Sequence, residues 1–125
     1  MNGWLLGAGV AAAAVAGVHV IAGHFDPVRP LLASALPDVP KRTLHVVWHW
    51  VSVDLVLAAL TLIAVALVEP EGTELVALLT AVHFAAYTIV FMLIAAALPG
   101  PRRLLELPQW MLLAPIAALA FAGAA

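Results

Sequence analysis

The sequence predicts an all-α integral membrane protein, a four-helix bundle in a single domain over residues 1–125 with both termini on the non-cytoplasmic side. Three observations predict it. First, 66% of the 125 residues are hydrophobic and 10% are charged, with a mean hydropathy of +1.13. A soluble domain carries about 25% charged residues, and a chain of this length leaves about a third of its surface in contact with solvent. Second, the apolar residues fall into four runs near the length of about 20 residues that a spanning helix needs. Third, the basic residues are one-sided along the chain. The same composition excludes other classes. Five Lys+Arg against seven Asp+Glu leave no basic footprint for nucleic acid. The absence of cysteine removes disulfides, thiolate metal sites and cysteine nucleophiles.

The first run covers residues 3–23. No Lys or Arg precedes Arg29, so the run lacks the positive flank of a secretory leader and is expected to span. Gly9, Ala13 and Gly17 recur every four residues, as do Gly3 and Gly7. Small residues on one face let helix backbones approach closely. The first helix is therefore expected at the centre of the bundle, and its Gly/Ala face is a candidate contact for a homo-oligomer. The connection from Phe25 to Thr43 holds Pro27, Pro30, Pro37 and Pro40; it is expected to be irregular or to lie along the interface. The second span is expected at 44–68, followed by the acidic turn Glu69-Pro70-Glu71-Gly72-Thr73-Glu74. The third is expected at 75–98, where Pro99-Gly100-Pro101 stops it, and the fourth and shortest at 108–125.

Four spans place both termini on one side and the first and third connections on the other. All five basic residues, Arg29, Lys41, Arg42, Arg102 and Arg103, fall in those two connections, whereas the opposite side carries Glu69, Glu71 and Glu74. The positive-inside rule puts the basic connections in the cytoplasm. The expected location is a bacterial inner membrane, with the lipid bilayer as partner. Trp48, Trp50 and Trp110 then lie near the cytoplasmic interface and Trp4 near the outer one, as aromatic-belt anchors.

Polar groups within spans are costly and are functional candidates. Of the five histidines, His19 lies five residues before His24 and His49 five residues after Leu44, which at 1.5 Å rise per residue gives both a depth of about 7–8 Å. His24 and His45 lie nearer the surface. His45 and His49 are spaced i, i+4, so both rings share one helix face. These four imidazoles are the expected ligands of a transition metal ion (Zn, Cu, Fe or Ni) at the cytoplasmic edge. Asp26 is a further candidate ligand, and Met92 and Met111 fall near the same layer. The middle residues of His45-Val46-Val47-Trp48-His49 include no glutamate, so metalloprotease chemistry has no general base. The expected function is a membrane metal-binding protein, with catalysis on a lipid-soluble or small substrate left open. Two alternatives stand beside it: a b-type haem protein with His19 and His49 as axial ligands, and a non-catalytic small subunit or lipid-pocket binder. Asp54, His83 and Tyr87 form a separate group nearer the midplane, either a structural hydrogen-bond network or a polar or proton path.

Overall fold

The computed structural model describes all residues, 1–125, and is helical throughout, without strands. The elements are α1 (Gly3–Gly23), a π-helical turn (His24–Val28), α2 (Arg29–Ala33), α3 (Asp38–Val68), α4 (Thr73–Ala96), α5 (Arg103–Glu106) and α6 (Trp110–Gly123). Three helical segments are long and apolar enough to cross a membrane: the continuous Gly3–Ala33, Asp38–Val68 and Thr73–Ala96. The fourth apolar run is shorter than expected. Its 14 residues extend about 21 Å, less than the roughly 30 Å of a hydrocarbon core.

The connection expected to be irregular is largely helical, and each proline explains how. Pro27 sits inside the π turn, where the Arg29 amide donates to the His24 carbonyl five residues back. The wider turn accommodates a residue that has no N–H and whose ring would crowd the preceding turn. Pro30 follows the π turn at the start of α2. Pro37 caps α3 and Pro40 lies in the first turn of α3, where the amide has no helical acceptor anyway. The two long segments are therefore joined by the short turn Ser34–Pro37.

At the opposite end the chain is tied by Asn2. Its Oδ1 accepts from the amides of Trp4 and Leu5, at 3.1 and 3.2 Å, capping α1. Its Nδ2 donates to the Gly123 carbonyl at 2.9 Å, and its amide to Ala66 at 2.9 Å. One residue thus joins the start of α1 to the ends of α3 and α6. The nearby α3–α4 turn uses left-handed backbone at Glu69 (φ 49°) and Gly72 (φ 85°).

Helix α1 packs against both α3 and α6, and α6 against α4, while α3 and α4 meet more sparsely. The contact seam of α1 is Leu5, Ala8, Gly9, Ala12 and Ala16. Only Gly9 of the expected small-residue rows lies in it: a Cβ there would stand 2.6 Å from Ile63 Cγ1 and 2.9 Å from its backbone nitrogen. Gly3, Gly7, Ala13 and Gly17 are exposed. Alanines from α3, α4 and α6 complete the core around Phe84, Leu62 and Ile116, so the helices close tightly at the Asn2 end. Toward the basic end Val, His and Trp replace these alanines, and the helices leave a partly open space between them.

Candidate functional site: a cavity between the helices

That space is a cavity of about 610 Å³, within the roughly 300–1,000 Å³ typical of small-molecule sites. Every long element contributes to it. Helix α1 supplies Val15, Val18, His19, Ala22 and Gly23; the π turn supplies Asp26 and Pro27. Leu44, Val47, Trp48, Val51 and Leu55 come from α3, and Tyr87, Val90 and Phe91 from α4. Leu107, Gln109, Leu112 and Leu113 close it from the α6 side. The wall is mostly hydrophobic, with a few polar groups concentrated toward the basic end.

Trp48 and His19 form one corner. Their rings stack with centroids 4.9 Å apart and planes 19° from parallel. His19 Nε2 faces the Trp48 carbonyl at 3.4 Å. A carbonyl only accepts, so in that contact Nε2 carries the proton and a neutral ring leaves Nδ1 as an acceptor. The indole fits against α1 because residue 23 is glycine: a Cβ there would stand 3.1 Å from Trp48 Nε1. Trp48 Nε1 and Gln109 Oε1 are buried and have no hydrogen-bond partner. They are one donor and one acceptor, both on cavity-lining residues.

The four expected metal ligands do not gather. No group of three or more His, Cys, Asp or Glu side chains is placed to hold a metal ion. His45 and His49 do meet, with ring centroids 4.7 Å apart, but His49 is exposed and neither lines the cavity. His24 is exposed in the π turn, edge-on to Phe25. The reason is azimuth. Helical residues advance by 100°, so when Trp48 faces α1, His49 faces outward. Agreement in depth brought the wrong neighbour to His19. By the same rotation His19 and His49 do not face each other, and Trp48 stacks on the His19 ring. Met92 and Met111 are exposed as well.

The midplane group does assemble. His83 Nε2 lies 3.0 Å from Asp54 Oδ2, and Tyr87 Oη donates to the same oxygen at 3.2 Å. The group bridges α3 and α4 where the two helices are otherwise sparsely packed. Tyr87 belongs to both features: its side chain lines the cavity while its hydroxyl holds Asp54.

Asp26, the further candidate ligand, lies on the cavity wall. Trp48, read from sequence as an interfacial anchor, has turned inward. Trp4 and Trp50 remain exposed, at 58% and 68%, and Trp110 Nε1 donates to the Leu104 carbonyl at 2.9 Å. Gln109 carried no sequence signal beyond being a polar residue beside an apolar run. Compared with known proteins, the chain matches no family model, and no characterised protein or solved structure is significantly similar to it. A functional reading therefore rests on the geometry.

Proposed function

We propose that the chain is a membrane-embedded binding protein for a lipid-soluble amphiphile, held in the cavity between α1, α3, α4 and α6. The observation that carries this reading is the cavity itself, about 610 Å³ with a mainly apolar wall. Its apolar depth, around Val51, Leu55 and Leu113, suits an alkyl chain or a hydrophobic ring. Its polar wall groups, His19, Trp48 and Gln109 among them, suit a small polar head. A polar group that reaches Trp48 Nε1 and Gln109 Oε1 would satisfy two buried atoms, each of which costs on the order of 1–3 kcal/mol when left unpaired.

In this reading the chain lies in a bacterial inner membrane as a four-helix bundle. Arg29, Lys41, Arg42, Arg102 and Arg103 face the cytoplasm, and both termini face outward. The two 31-residue segments reach about 46 Å and project beyond the hydrocarbon on the cytoplasmic side. The short α6 is accommodated by packing between α1 and α4. This reading takes precedence over a metal centre because the cavity is assembled from four helices whereas the imidazoles are dispersed.

The test uses ω-brominated dodecanol, whose bromine quenches tryptophan on contact. Titrated into the purified protein, it is expected to quench Trp48 fluorescence saturably, at one equivalent per chain. Val51→Phe, which fills the cavity, is expected to abolish the saturable component while leaving the helical circular dichroism unchanged. Linear quenching, equal in wild type and variant, would overturn the proposal.

A further inference from the structure

The charges around the cavity are unequal. Its wall includes one carboxylate, Asp26, and no Lys or Arg. Asp26 is exposed at the rim and has no ion-pair partner, the pairs within 4.0 Å being Met1 with Glu69 and His83 with Asp54. The nearest basic residue in sequence, Arg29, three residues on, lies over the Phe25 ring at 4.8 Å. The π turn around Pro27 brings this carboxylate onto the wall. The same wall carries the aromatic side chains of Trp48, Tyr87 and Phe91. An unpaired carboxylate that shares a wall with aromatic side chains, with no Lys or Arg in that wall, is the complement of an alkylammonium group: the carboxylate attracts it and ring faces hold it by cation–π contact. A carboxylate or phosphate head would meet Asp26 as a like charge.

Resting on the amphiphile-binding reading above, we infer that the preferred ligand is a single-chain lipophilic cation. Its ammonium head lies between Asp26 and the aromatic wall, and its tail lies in the apolar depth. The ligand is a free amphiphilic amine or quaternary ammonium rather than a phospholipid, because the phosphate of a zwitterionic headgroup brings back the repulsion.

The experiment compares four ω-brominated dodecyl probes that differ only in the head: trimethylammonium, alcohol, carboxylate and phosphocholine. Each is titrated into full-length protein in maltoside micelles and read by tryptophan quenching. Asp26→Asn is run in parallel, so partition into the micelle cancels in the wild-type-to-variant ratio. The ammonium probe is expected to bind about tenfold more tightly than the carboxylate, with alcohol and phosphocholine between them. Asp26→Asn is expected to weaken the ammonium probe about fivefold and leave the alcohol within about twofold of wild type. Ammonium binding no tighter than alcohol or phosphocholine, or equal losses for all heads in the variant, would overturn this inference while the cavity reading stands. Binding of none of the four would overturn both.

Discussion

Trp48 and His49 are neighbours in the chain and face in different directions. The indole closes a cavity against Gly23 and His19, while the imidazole is exposed beside His45. The periodicity that separates them was present in the sequence: Leu44, Trp48, Val51 and Leu55 form an i, i+4, i+7, i+11 row, and His45 and His49 stand one residue off that row. Depth alone could not separate the two. Asp54 shows the opposite case, since the group expected with Tyr87 and His83 does form. Two predictions belong at this scale. Tyr87→Phe removes one interhelical hydrogen bond and is expected to cost about 0.6 kcal/mol, while Asp54→Leu removes both and costs about 1–2 kcal/mol; reversible unfolding in mixed micelles measures each. Gln109→Leu replaces a buried unpartnered acceptor with an apolar side chain of similar size. It is expected to leave the ligand-free protein as stable as wild type or up to about 1 kcal/mol more stable, while weakening alcohol-probe binding in the quenching titration.

The helices were legible where local chemistry had a single outcome. Glu69-Pro70 and Gly72 marked the α3–α4 turn, and the structure ends α3 at Val68. Proline was less informative in the first connection because its effect depends on position. In a π turn, at a cap or in a first turn it is tolerated, and all four prolines there occupy such places. Small residues misled in a similar manner. Spacing by four identified α1 as a packing helix, but the contacting row is Ala8, Ala12 and Ala16, one position off the Gly3 and Gly7 row. Two glycine substitutions test this seam. Gly9→Ala forces a methyl against the Ile63 backbone and is expected to destabilise by about 1–3 kcal/mol. Gly17→Ala meets nothing within 4 Å and is expected to be neutral or stabilising by up to about 1 kcal/mol. Asn2→Ala, which removes the α1 cap and the bridge to Gly123, is expected to cost about 1–2 kcal/mol. Thermal unfolding followed by circular dichroism ranks the three.

At the scale of the molecule, small residues and large ones divide the structure into two halves. An alanine-rich core closes the Asn2 end, and a Trp- and Val-lined chamber opens toward the basic end. The chamber was not legible in the sequence, because a void depends on how four helices diverge and no single helix encodes that. The orientation of the halves is a matter of charge. Glu71→Cys, in the acidic turn, is expected to react with a membrane-impermeant maleimide on intact cells; reaction only after permeabilisation would place the basic end outside. The most direct test of the central claim, that the chamber holds an amphiphile, is non-denaturing mass spectrometry of the protein released from micelles. The account predicts wild-type chains carrying one retained amphiphile and Val51→Phe chains carrying none. Bare wild-type chains, or the same adducts in both proteins, would contradict it.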